Sequence, residues 1–256
     1  MRKIAYFIVV FLLLFGSTAA FAVEPIMITY SPDRQNVIFD GKWTFYWEWK
    51  RTSLNELRYD DGTTIELRTG HQGNFIYVFV DSITQTNIDK VSDTATICFA
   101  TKTDRTVIPD PNDYCFVSVL DGKSSFVLQG GAPLEFTGHF KKIPLPPGFI
   151  GVGGVSDEND RYTPIPHAGY EFRIPTDLVG RSDTYGFYLV VYDAPTNKYY
   201  TWPQNANATN IYHIASPTQW GDMISPDRSL PEFPVPALLL VPAFFFAIYL
   251  TRLRYR

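Results

Sequence analysis

Residues 185–202 read YGFYLVVYD, APTNK and YYTW, two aromatic and β-branched runs joined by Pro195, Thr196 and Asn197. Such side chains suit a pleated surface, and Pro and Asn suit a turn, so the stretch predicts a β-hairpin. The same grammar recurs along the chain. FIYVFV (75–80) stops at Asp81 and reads as a strand buried on both faces. In YEFRIP (170–175), Tyr170, Phe172 and Ile174 share one face and Glu171 and Arg173 the other, as in a half-buried strand. Further strands are expected at 26–30, 63–67, 94–100, 114–120, 126–129 and 134–140, against one short helix near 53–58. Many short strands between turns, with almost no helix, predict an all-β chain folded as a single, jelly-roll-like β-sandwich.

The ends follow a different pattern. Arg2 and Lys3 precede an apolar run (4–15) and the small-residue site Ala20-Phe21-Ala22, the order of a signal peptide cleaved before Val23. An uncleaved anchor is the alternative, but the run is shorter than the ~20 residues that span a bilayer. At the other end SPDRSLPEF (225–233) leads into VPALLLVPAFFFAIYL (235–250) and then TRLRYR. Arg252, Arg254 and Arg256 behind an apolar span place the C-terminus in the cytoplasm and the body outside. Pro236 and Pro242 are tolerated better in such a helix than in a soluble one. The expected organisation is a signal peptide (1–22), a β-sandwich (23–224), a linker (225–234), one transmembrane helix (235–251) and a basic tail (252–256). The Pro- and Gly-rich stretch 141–160 reads as a long loop within the one domain.

The net charge of −4 comes without a basic patch between the termini, so nucleic acid is not an expected partner. Cys98 and Cys115 lie in two strand-like runs, TATICFA and DYCFVSVL. In an exported chain such a pair is expected to be bridged, and if the runs are adjacent strands the bridge crosses a hairpin. No CxxC spacing suggests redox chemistry. Asn207-Ala208-Thr209 is a glycosylation sequon.

FDGKW with a following EW, then FIYVFVDS, SDTATICFATK, YEFRIP and YGFYLVVYD, resembles in order the family-nine carbohydrate-binding modules and the wider DOMON-like group. The resemblance spans about residues 38–202 and implies a β-sandwich that binds sugar on facing aromatics, often with structural calcium. Pro231-Glu232-Phe233 before the apolar span and basic end resembles archaeal PEFG-type sorting signals, with Pro234 where that motif has glycine. That likeness implies a sortase-like processing protease as a partner.

Sugar recognition needs flat rings for pyranose C–H edges and polar groups for the hydroxyls. Trp43, Trp47 and Trp49 would share one face of a continuous strand, which reads as the start of a core, Trp47 being the least committed. Trp202 and Trp220 stand in polar, Pro-containing contexts where rings at a sandwich rim could meet solvent. Trp202, Trp47 and Trp220 are therefore the candidate carbohydrate-binding residues. Asp81, Asp93 and Asp113, near strand ends, are candidate Ca²⁺ ligands. His71, His139, His167 and His213 form no HxH or HExxH spacing, so no zinc site is expected. Met27 and Met223 share no haem pattern, and no GxSxG or Cys-His arrangement points to catalysis. The leading expectation is a non-catalytic, surface-anchored module that binds polysaccharide or envelope glycan. The alternatives are a structural or protein-interaction domain and a haem-binding, DOMON-type electron-transfer domain.

Overall fold

The structure, a computed structural model, describes residues 23–101, 105–204, 206–208 and 210–226. The expected signal peptide, sorting motif, transmembrane helix and basic tail lie outside these residues. Fourteen strands succeed one another: β1 (Ile26–Met27), β2 (Thr29–Tyr30), β3 (Ser53–Arg58), β4 (Thr64–Gln72), β5 (Phe75–Ser82), β6 (Thr94–Ala100) and β7 (Asp113–Val119), then β8 (Ser125–Gln129), β9 (Lys141–Ile143), β10 (Ile150–Val155), β11 (Ala168–Pro175), β12 (Thr184–Asp193), β13 (Lys198–Trp202) and β14 (Gly221–Ile224). One four-residue helix, Thr176–Val179, and two 3₁₀ turns complete the described elements.

The strands form two sheets, as the periodicity predicts. The first runs β9-β8-β7-β6-β12, and the far edge of β12 is shared by β14, which carries β1, and by β13. The second runs β10-β11-β5-β4, and the far edge of β4 is shared by β3 and β2. Only Ile28 separates β1 from β2, so the N-terminal segment joins one open side of each sheet.

Alternation along the strands sorts the side chains into three apolar layers. Between the sheets lie Ile97, Phe99, Phe116, Phe187 and Leu189 from the first and Ile65, Leu67, Val78, Tyr170 and Phe172 from the second. Outside the first sheet, Phe140, Ile214, Ala215 and Trp220 cover Cys98, Cys115, Tyr188 and Val190. Outside the second, Val37, Trp43 and Trp49 cover Tyr77 and Phe79. Neither sheet therefore presents a simple hydrophobic-in, polar-out alternation.

Cys98 and Cys115 stand directly opposite in the β6–β7 ladder and are joined by a disulfide, with Cα atoms 4.0 Å apart. The bridge crosses the hairpin, as the two strand-like runs imply. Four local expectations are corrected. Residues 53–58 are strand β3, because pairing with β4 and the seating of Leu57 opposite Ile65 outweigh helix propensity. Residues 134–140 hold only an isolated bridge between Glu135 and Gly138. The 141–160 stretch contains β9 and β10, and glycines suit β10 because backbone crowds it on both sides. A Cβ on Gly153 would sit 2.5 Å from the Val119 carbonyl oxygen, and one on Gly154 2.2 Å from that of Asp40. Finally, Glu171 is fully buried rather than facing solvent.

Candidate functional site

The outer face of the second sheet carries the candidate site, assembled by the segment 33–52. This segment is not the continuous strand that its tryptophan spacing implies. Residues 46–51 form successive turns, with Glu48 N–H donating to the Phe45 carbonyl at 3.0 Å and Thr52 N–H to that of Trp49 at 3.2 Å. A turn rotates neighbouring side chains by far less than a strand's half-circle, so two-residue spacing no longer means one face.

Trp49 points inward. It stacks on Phe79 at 5.4 Å, and its Nε1–H donates to Glu171 Oε1 at 2.9 Å. Glu171 Oε2 accepts the N–H groups of Asp40 and Gly41 at 2.8 and 2.7 Å, tying the Asp-Gly turn to β11. Gly41 has φ +80°, and a Cβ there would lie 2.0 Å from Gly154 N, so only glycine suits this position. Burial pushes the Glu171 carboxyl well above its usual range, against the Gly41 and Trp49 hydrogen bonds. Trp43 is buried too, its Nε1–H donating to the Phe45 carbonyl at 2.6 Å and its ring meeting Tyr162 edge-on. Both are structural, as expected.

Trp47 points outward and is 55% exposed. Exposed Tyr46 stands edge-on to it at 4.7 Å, and Phe45 is exposed beside them. Lys50 Nζ bonds the Tyr46 hydroxyl and lies 4.7 Å from the Trp47 ring centre, while Arg51 lies 5.7 Å from that ring and pairs with Asp33 at 2.7 Å. Below the ring opens a cleft of ≈ 280 Å³ lined by Asp33, Arg34, Asn36, Phe45, Trp47, Glu48 and Arg51. Glu48 is fixed by the N–H groups of Ile38 and Thr44 at 2.8 and 2.6 Å, and burial raises its pKa. Arg34 is buried, its Nη1 has no hydrogen-bond partner among the described residues, and burial lowers its pKa against the pull of Glu48. The cleft thus combines an exposed indole wall with a buried, unspent cationic donor and fixed carboxylates.

The other two candidate rings are corrected. Trp202 is 5% exposed because it ends β13 against Phe187 and lies over Gly221, where a Cβ would come within 2.2 Å of the ring. It contributes to a larger cleft of ≈ 550 Å³ beside Ile26, Leu54, Leu57 and Gln204, without the free face that sugar stacking needs. Trp220 is 3% exposed, stacked on Tyr188, with its Nε1–H donating to the Ala215 carbonyl at 2.9 Å. Asn207 is exposed, as a sequon requires, and its backbone is held by the Gln219 side chain.

Among the described residues, the three aspartates expected to hold calcium do not converge on one point. Asp93 accepts the N–H groups of Asp89 and Ala194 at 2.8 and 2.9 Å, and Asp113 accepts that of Asp110 at 2.8 Å, so both hold turns. Asp81 is drawn elsewhere. Among the described residues, the His, Cys, Asp or Glu side chains close enough to share an ion are Asp81, Asp160 and His167. No sequence spacing signals this trio, since Asp81 and His167 are 86 residues apart.

No protein-family model matches the chain, and no curated protein does. Among solved structures it is similar to a family 9 carbohydrate-binding module from Caldicellulosiruptor kristjanssonii in complex with glucose. That match has 13% identity, covers 79% of this chain and 95% of the other, and has a TM-score of 0.47. It is also similar to a family 9 module from the same organism in complex with cellotriose, with 14% identity over 82% of this chain and 100% of the other, and a TM-score of 0.44.

Proposed function

We propose that this chain is an exported, non-catalytic β-sandwich that binds carbohydrate or envelope glycan through the cleft beneath Trp47. Its signal-like N-terminus and the apolar span at 235–251, followed by a basic tail, favour anchoring in the lipid bilayer with the body outside, and the Pro231-Glu232-Phe233 motif favours a sortase-like protease as a processing partner. The observation that carries the binding reading is one cleft lined by both the exposed Trp47 ring and Arg34, whose buried Nη1 has no hydrogen-bond partner among the described residues. A pyranose needs that pair of features, an apolar plane for its C–H edge and a buried donor for its hydroxyls. Calcium has no part in this reading.

Binding of the purified protein to a broad glycan array tests it, alongside Trp47→Ala and Arg34→Gln. Saccharide binding lost in Trp47→Ala with an unchanged melting temperature is the expected result, because an exposed ring supports little of the fold. Binding retained in both variants would remove the cleft from the proposal. A second reading, a protein-interaction surface domain, is favoured by exposed Val107, Leu134 and Phe136, the last 71% exposed, around a separate cleft of ≈ 360 Å³. A folded protein that binds no glycan on the array would favour that reading.

A further inference from the structure

On the outer face of the second sheet, where β5 ends, three titratable side chains are closed off from water. Asp81 stands on β5 opposite Glu66 of β4 and Gly169 of β11, and His167 immediately precedes β11. The loop after β10 folds back over them with Asp160. The side chains of His167, Asp81 and Asp160 are no more than 1% exposed.

The hydrogen bonds dictate what can lie between them. His167 Nδ1 is 2.8 Å from the Ile165 carbonyl, which only accepts, so this nitrogen carries the ring proton. Ser156 Oγ, 2.8 Å from the same nitrogen, accepts the His167 backbone N–H at 3.0 Å and steadies the ring. In the neutral ring, Nε2 then presents a lone pair to Asp81 Oδ1 at 2.7 Å and Asp160 Oδ1 at 3.9 Å. Acceptors facing acceptors need a cation among them. A single proton on Nε2 would satisfy Asp81 Oδ1 alone. Among the described residues, Asp81 Oδ2 and Asp160 Oδ2 are both buried without a hydrogen-bond partner, and so is Glu66 Oε2 nearby. Arg68 directs Nε and Nη2 to the Tyr162 hydroxyl at 3.0 and 2.5 Å, not to these carboxylates.

We infer that Asp81, Asp160 and His167 form a buried site for a divalent transition-metal ion of the zinc class. The donor atoms lie within 4.8 Å of one another. A tetrahedral zinc ion separates its ligands by about 3.3 Å, a value that the 2.7 and 3.9 Å contacts of Nε2 bracket. An imidazole nitrogen beside two carboxylates matches zinc, with water filling the fourth position, whereas calcium prefers six to eight oxygens. The Nδ1–H bond to a backbone carbonyl is the support that metal-bound histidines ordinarily have. Asp160 is oriented likewise, its Oδ1 accepting the Tyr162 N–H at 2.8 Å while a second lone pair of the same oxygen remains on the side of Nε2. The ion would pin the 156–167 loop to the sheet behind the Trp43–Tyr162 contact.

The test is metal titration of the chelator-stripped, purified full-length protein with Zn²⁺, Co²⁺ and Ca²⁺. Binding would be followed by calorimetry, melting temperature and the visible absorption of bound Co²⁺. One equivalent of Zn²⁺ raising the melting temperature, and a tetrahedral Co²⁺ spectrum, are expected. Asp160→Asn should weaken Zn²⁺ at least about tenfold. His167→Gln should abolish the Co²⁺ spectrum. If that variant fails to fold, Asp160→Asn still decides, since its loop position makes it the milder change. No saturable Zn²⁺ binding, an unchanged affinity in Asp160→Asn, or Ca²⁺ stabilising as well as Zn²⁺ would each overturn the assignment. Trp47→Ala should leave metal binding intact, so this outcome is separable from glycan binding.

Discussion

Trp47 and Trp49 are separated by a single residue, yet one is a surface ring and the other the centre of a small core. Trp49 is fully buried, stacked on Phe79, capped by Arg34 at 5.6 Å and hydrogen-bonded to Glu171. Trp49→Ala is expected to cost about 3–5 kcal/mol, since it opens a large cavity and leaves the buried Glu171 carboxylate without one of its donors. Urea unfolding measures this, and an unchanged midpoint would show that the ring is not core. The core role of Trp43 and Trp49 is legible in the sequence, where closely spaced tryptophans read as the start of a core. The exposure of Trp47 is not, because parity arguments assume an extended backbone and the chain here turns instead. Arg34 escapes a sequence reading for a related reason, since its unpartnered donor is defined only by what surrounds it.

At the scale of elements, the β6–β7 hairpin shows how far local pattern carries. Both strands agree with the periodicity to within one residue, and their cysteines meet in register. The disulfide closes a loop with a sequence separation of 17. In the chain-entropy account such a closure contributes about 3 kcal/mol through the unfolded state. Replacing both cysteines by alanine is therefore expected to lower the unfolding free energy by roughly that amount. Chemical denaturation of the double variant checks it, and a loss near zero would refute the loop-closure account here. Strand β3 shows where local pattern fails. SLNELR suits a helix by propensity, but β4 offers an open edge and the core needs Leu57. The 134–140 stretch fails in the opposite sense, having β-like residues that join neither sheet and pair only Glu135 with Gly138.

For the whole molecule, apolar layers outside both sheets mean that carboxylates meant for solvent become buried. Burial raises the pKa of Glu48, Glu171 and Asp93 alike, opposed in each case by backbone N–H donors. A carboxyl whose folded-state pKa exceeds its unfolded value binds its proton more tightly in the folded state. Its stabilising contribution is complete below the unfolded pKa and is lost as pH rises through the folded one. Burial likewise pushes the Glu66 carboxyl up to about 7, so chelator-treated protein should be less stable at about pH 8 than at about pH 5. Urea midpoints across that range test this, and a rising midpoint would contradict it. By itself, the sequence determined the all-β class, most strand positions and the cysteine pairing, because these depend on residue periods of two and on near neighbours in the chain. Which tryptophan faces water, and that Asp81 meets His167 from 86 residues away, were decided only by tertiary structure. Side-chain direction depends on the backbone's path through a turn, and strand order across a sheet brings together residues that no spacing in the chain relates.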